Sequence, residues 1–382
     1  MITRKYILLI LTIALLANCR EKYTLPNTGP AGGFLVVEGF INSGAGATEI
    51  KLSRSLRLVD TVDVSAELKA QVWVQGKDNS QQLLAEQGNG LYSSDNLNIN
   101  PMQEYRLYIM TNGGKEYASS YSRPLKSPPI DSISWERLNG GVEIFVNTHN
   151  STGDAKYYRW AYEETWEFHS TLYSSLMYLL GPDGKPYDVD TRPYEDAKNM
   201  FFCWQYENSS RILIGNSANY TRDSIHLALQ FIPRASWKIS VLYSIRMKQY
   251  AISAAEHEFL RRMKKNTEQV GSLFDAQPSE LVGNIQCLSN PGELVIGFVG
   301  VSDMQEKRIF INNSEVPDWD YNLPCQTQDI PNHPDTLEMY ATAVPILPTQ
   351  VFGLRILRLS IADSYCADCR TRGSNIKPSY WP

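Results

Sequence analysis

The segment EYRLYIMTNGGKEYASSYS (104–122) constrains this chain more than any other. Tyr105, Leu107 and Ile109 recur at every second position, which puts them on one face of an extended strand. Asn112, Gly113 and Gly114 then offer the backbone freedom that a tight reversal requires, so the chain doubles back as a hairpin. The same pattern recurs in FLVVEGFI (34–41), TEIKLSR (48–54) and KAQVWVQG (69–76), where Val72 and Val74 share a face opposite Trp73. Roughly five to seven such strands in about 95 residues predict an immunoglobulin-like sandwich over 34–126. The proline-rich joint RPLKSPPIDS (123–132) marks the expected boundary, with a second β-rich domain over 131–382.

That second domain reads as strands at 131–137, 141–147, 156–168, 211–216, 224–232 and 237–250. The period then changes. Ser253 and Glu256 form an S-x-x-E capping box, Gly271 supplies a stop, and Ile252, Ala255, Phe259 and Met263 line one face, which predicts a helix over 253–270. Strand patterning returns in ELVIGFVGVS (293–302) and KRIFINN (307–313). The expected fold is mainly β: two immunoglobulin- or fibronectin-like sandwiches, one amphipathic helix, and a long aromatic-rich excursion (170–200) from the second.

The first residues give an address. Arg4 and Lys5 precede an apolar run from Tyr6 to Ala17, too short to span a bilayer and suited to a secretory signal over 1–18. The run ends in LLANC, which resembles a bacterial lipobox, so Cys19 is the expected site of lipidation. The alternative is an ordinary signal peptide cut nearby, leaving Cys19 a thiol. Several acyl chains at about 0.8 kcal/mol per buried CH₂ hold a protein stably on a membrane. Residues 19–33 read as a flexible tether that could lift the folded part about 45 Å from the lipid. Removing residues 1–18 deletes two positive charges and takes the formal charge from −5 to −7. Such a chain lacks the basic footprint that nucleic-acid binding needs.

The run EFLRRMKKNTEQVGSLFDAQPSELVGNIQCLSNPGELVIGFVGVSDMQEKRIFI, the terminal CADCRTRGSNIKPSYW and the early LVVEGFIN together resemble a Bacteroidota lipoprotein family of unknown function, number 4249 in the domain-of-unknown-function series. The landmarks are Phe274, Asp275, Gln277 and Pro278, then Gly283–Asn284, then C-x-D-C, and the resemblance runs over roughly 30–381. It implies an exported, β-rich lipoprotein, often encoded beside TonB-dependent outer-membrane receptors. It carries over no catalytic residue.

Besides Cys19 there are Cys203, Cys287, Cys325, Cys366 and Cys369. An oxidising compartment favours disulfides. Cys287 and Cys325 are the expected partners of Cys366 and Cys369, with connectivity open and Cys203 a buried free thiol. Zinc is the rival, but it wants four ligands and no second C-x-x-C or paired histidine motif exists. No metal or other cofactor is expected.

None of the five histidines sits in H-E-x-x-H, and no nucleophile elbow, Walker loop or dinucleotide fingerprint occurs. Asp188, Asp190, Glu195 and Asp196 form a candidate calcium loop, though without the EF-hand glycine and terminal glutamate; a solvated acidic loop is the plainer reading. Alternate aromatics Tyr158, Trp160 and Tyr162 suit a sandwich core. Tyr173, Tyr178, Tyr187 and Tyr194, on the excursion, have no such obligation and are candidate interface residues. The expected function is a non-enzymatic, lipid-anchored binding or accessory protein of the outer membrane, facing the cell surface or the periplasm with the cell surface the expected side, partnered by a TonB-dependent receptor. A cell-surface hydrolase of polysaccharide or peptide, and a structural envelope protein, are the alternatives.

Overall fold

A computed structural model describes residues 33–55, 65–153, 155–218, 223–268 and 281–382. Cys19, the signal, the tether, Gly271 and the 274–278 landmarks lie outside the described residues. The fold is mainly β, in three units. The first is one hydrogen-bonded path of strands whose halves close on a single core. In spatial order the path runs 285–287, 116–119, 105–110, 71–76, 81–88, 91–94, 48–54, 35–42 and 295–297. Val72, Val74, Leu107 and Ile109 from one half meet Leu35, Val37, Ile50 and Leu52 from the other. The reversal at 112–114 forms as its residues require: Gly114 N donates to Thr111 O at 2.9 Å, with Gly114 at φ +77°.

The boundary expected between 126 and 131 needs correction. Residues 285–302 return from beyond the second unit to complete the first. Leu35–Val37 pair in parallel with Val295–Gly297, and Ile41–Asn42 with Val301–Ser302. Parallel partners need a long crossover; here that crossover is the whole second unit, a relation that no local periodicity displays.

The second unit packs a three-stranded sheet, Ser224–Pro233, Gly141–His149 and Ile130–Leu138, on a five-stranded one. The spine of the latter is Tyr157–His169, antiparallel to Leu242–Ile252 over eleven paired positions. Tyr158, Trp160 and Tyr162 are buried and fill the space between the sheets. Glu164 continues the inward alternation and is also buried. It survives there because its carboxylate accepts from Tyr243 Oη at 2.7 Å, Gln230 Nε2 at 3.0 Å and Lys238 Nζ at 2.7 Å.

The expected helix spans Ala254–Glu268. Only half of the capping box forms: Glu256 N donates to Ser253 Oγ at 3.0 Å. The Glu256 carboxylate instead turns into the junction with the first unit, only 4 % exposed. The buried stripe is therefore Glu256, Phe259 and Leu260, with Met263 half-buried beside it, while Ala255 faces solvent.

The two units join at the Asn42 end of the first strand and the Tyr157 end of the long spine. Leu125 N donates to Val301 O and Ala251 N to Ser127 Oγ. Gly33 lies at the other end of the first strand, about 25 Å from that junction at roughly 3.3 Å per residue. The third unit begins at the other end of the spine, about 40 Å away by the same rise. No helix among the described residues is long and apolar enough to cross a membrane.

Candidate functional site

The excursion at 170–200 is not a loop. Leu176–Leu180 and Pro186–Thr191 form a hairpin around the turn at Gly181–Lys185, followed by a helix, Tyr194–Phe201. The hairpin is one layer of the third unit. The other is a sheet of Thr327–Pro331, Arg355–Ala362 and Val344–Phe352, with Arg355–Ala362 central. Leu176 and Val189 meet Ile330, Leu337, Leu359 and Ile361 in a small core. Ser174 Oγ and Ser175 N donate across to Pro345 O and Ile346 O at 2.6 and 2.7 Å.

The four tyrosines proposed as interface residues separate accordingly. Tyr178 is half-buried on the small core and donates to Tyr340 O at 3.2 Å, so it is a packing residue. Tyr173, Tyr187 and Tyr194 are exposed, at 42 %, 51 % and 68 %. Tyr173 packs edge-on to Phe201, with ring centres 5.4 Å apart. Tyr187 lines an open pocket of about 470 Å³ together with Asp183, Lys185, Asp335 and Glu338. Lys185 already pairs with Glu338 at 2.5 Å, which raises the lysine pKa and neutralises one carboxylate of that rim. The rim thus carries Tyr187 and two further carboxylates, Asp183, which accepts from Lys185 N at 3.2 Å, and Asp335, 3.7 Å from His333 Nδ1.

Asp188, Asp190, Glu195 and Asp196 do not assemble a cation site. Asp188 Oδ1 accepts from Asn332 Nδ2 at 2.7 Å and Asp190 Oδ1 from Thr191 N at 2.7 Å, while Glu195 and Asp196 begin the helix. Among the described residues no group of three or more His, Cys, Asp or Glu is placed to hold a metal.

The cysteines also depart from expectation. Cys203 pairs with Cys369, and Cys325 with Cys366, while Cys287 is free and buried. The assignment of Cys287 to a bridge and of Cys203 to a free thiol is therefore corrected. Cys287 sits in the short strand Ile285–Cys287, which returns to the first unit and faces its core, away from the tail. Cys203 lies in the strand Phe202–Asn208 that flanks the spine, and the tail crosses it: Trp204 N donates to Ser374 O and Trp204 O accepts from Ser374 N. The two adjacent tail cysteines thus staple different units, Cys369 the second and Cys366 the third.

Sequence reasoning missed the strands at 344–362. VPILPTQVFGLRILRLSIA has strand-forming composition on both sides of a Gly353–Leu354 turn, a sufficient signal for a hairpin. Half of the large apolar side chains that remain exposed in the described chain lie in the third unit and the turns that join it. Leu347, Val351, Phe352, Leu354 and Leu357 on this hairpin are the densest group.

A search of curated proteins finds no match to this sequence. Among solved structures, the chain is similar to the chicken interferon gamma receptor alpha chain at 12 % identity and TM-score 0.15, covering 57 % of this chain and 90 % of that one. It is also similar to a Salmonella alpha-2-macroglobulin mutant at 7 % identity and TM-score 0.18, covering 82 % of this chain and 16 % of that one. Neither likeness is close enough to carry an argument. Residues 21–308 match the family model described as Domain of unknown function (DUF4249), which reaches through both sandwiches and the segment that returns between them. By that match the chain belongs to the DUF4249 family.

Proposed function

We propose that this protein is a lipid-anchored, non-enzymatic binding or accessory protein of the outer membrane that works with a TonB-dependent receptor at the cell surface. The observation that carries the reading is the concentration of exposed apolar side chains on the unit farthest along the chain of contacts from Gly33, where the tether enters. A monomer rarely leaves large apolar groups bare without a partner to cover them. The lipobox-like LLANC favours this address, and the resemblance seen in the sequence implies this class of partner. Two disulfides agree with assembly outside a reducing cytosol.

Radiolabelled palmitate fed to producing cells should mark the chain, and Cys19→Ala should abolish both the label and membrane fractionation. A tagged chain solubilised in mild detergent should bring down a β-barrel receptor in stoichiometric amount. An unlabelled parent that fractionates like Cys19→Ala, or recovery of the chain without a barrel, overturns the reading.

A further inference from the structure

We propose that the hairpin Val344–Ala362 is the docking element of this protein, and that its tip enters an apolar cleft rimmed by carboxylates on a partner protein. The inference deepens the function proposed above and rests on it for the setting, a membrane-anchored chain with a protein partner.

The hairpin outruns the sheet that supports it. The third strand, Thr327–Pro331, accompanies Arg355–Ala362 only as far as Arg358. Asn332 still reaches Leu357 O and Ile356 O, at 2.9 and 3.0 Å; beyond Ile356 two strands continue alone, and from Leu347 to Arg355 every residue is exposed. Phe352 is 78 % exposed, and Leu354, at the turn, is as open as in an isolated peptide. An unsupported two-stranded ribbon is marginal in water. This one is held from its base. Ile346, Leu359, Ile361 and Ala362 are buried, and the Cys325–Cys366 bridge closes immediately behind them. A projecting apolar tip on a stapled base loses little freedom on binding.

Charge narrows the partner. The chain as a whole carries −5, yet no acidic residue occurs from Met339 to Ala362. Arg358 is held by Asp329 at 2.5 Å, while the Arg355 side chain makes no ion pair among the described residues. An unpaired guanidinium beside exposed Phe352 and Leu354 complements an apolar hollow with a carboxylate at its rim.

The mode of contact follows from the strand edge. Val344–Phe352 is the outer strand, and it carries Pro345, Pro348 and three register shifts against its neighbour. Prolines and bulges obstruct pairing with an added strand, so the partner receives the tip and faces rather than extending the sheet. A bilayer could also accept an apolar tip. However, the expected tether meets the fold at Gly33, in the first unit, so the anchor does not itself bring this hairpin of the third unit to the lipid.

The test is a photo-crosslinking amino acid placed at Leu354 of the full chain in producing cells, with the exposed Leu83 of the first unit as control site. The expected result is one protein adduct from position 354 and none from 83. Phe352→Ser and Arg355→Glu should each lower its yield at least about tenfold, and Arg355→Lys should restore it. Both bridges and the unfolding midpoint should stay as in the parent. The purified Cys19→Ala chain, which carries no acyl group, should not float with vesicles of phosphatidylethanolamine and phosphatidylglycerol. Adducts to lipid, Phe352-dependent flotation, a second copy of this chain as the adduct, or equal labelling from position 83 each overturn the inference. A barrel that still copurifies undiminished with Phe352→Ser removes the hairpin inference and leaves the proposed function standing. A protein adduct at 354 that is not a barrel does the reverse.

Discussion

Glu256 ties the first two units together at a single carboxyl group. It follows Ser253 at the spacing of a cap, yet its side chain is buried at the junction, so close to Gly300 that a Cβ there would lie 2.3 Å from its Oε2. Burial pushes its pKa from 4.5 up to about 7, with the Arg159 charge acting weakly in the opposite sense. The folded value is above the unfolded one, so the folded chain holds the proton longer as pH rises. Stability is therefore greatest below pH 4.5 for this group and falls between about 4.5 and 7, by about 3 kcal/mol at 1.36 kcal/mol per pKa step. Above pH 7 the loss is complete and constant. Glu256→Gln should flatten that interval and raise stability at neutral pH, as read by urea unfolding at a series of pH values. An unchanged slope between pH 4.5 and 7 contradicts this.

At the scale of the element, the segment 281–302 decides whether the first unit closes. Its Gly283–Asn284 pair, noticed first as a landmark, acts as a latch. Asn284 Oδ1 accepts from Val299 N and its Nδ2 donates to Val299 O, both at 2.9 Å, while its own carbonyl accepts from Ser120 N. Gly283 lies so near the neighbouring strand that a Cβ would fall 1.6 Å from Gly297 O. Asn284→Ala leaves both polar groups of Val299 without their partner and should cost about 1–3 kcal/mol. Gly283→Ala forces backbone apart and should cost more. Hydrogen exchange should then rise first at Leu35–Val37 and Val295–Gly297, the parallel pair the latch holds. Exchange that rises evenly across both sandwiches would count against a local latch.

For the whole molecule, the last twenty residues are the clasp between the second and third units. Thr165 Oγ1 bonds Tyr380 Oη at 2.8 Å, Trp381 Nε1 donates to Glu167 at 2.9 Å, and Arg308 lies 3.8 Å from the Tyr380 ring centre. The Cys203–Cys369 bridge spans 166 residues and Cys325–Cys366 spans 41. Chain-entropy reasoning gives the longer closure about 5 kcal/mol and the shorter about 4, as upper figures. Peptide mapping under non-reducing conditions should recover those two pairs, with Cys287 alkylated only after unfolding. Cys203→Ala with Cys369→Ala should lower stability by about 2–5 kcal/mol and release the tail to protease. Recovery of a Cys287–Cys366 peptide would refute the connectivity.

Much of this was written locally. Period-two runs at 72–74 and 105–109, the NGG turn and the change of period at 253 announced a mainly β chain with a helix, because strand and helix faces leave their spacing in the sequence itself. The hairpin at 344–362 is equally legible, but only its base, Ile346, Leu359 and Ile361, covers a core, while its tip stays bare, so its pattern names no single partner face. The candidate surface is half visible: Tyr173, Tyr187 and Tyr194 are exposed as their place outside the predicted core strands suggests, while Tyr178, on the hairpin strand Leu176–Leu180, turns inward onto the small core. Sequence alone determined the class of fold, the net negative charge and the presence of cysteines to be bridged. Tertiary structure alone decided which cysteines meet, that residues 285–302 return to the first unit, and which aromatics stay bare. Those outcomes depend on contacts between residues tens to hundreds of positions apart, where each side chain's fate is set by what the rest of the chain places against it.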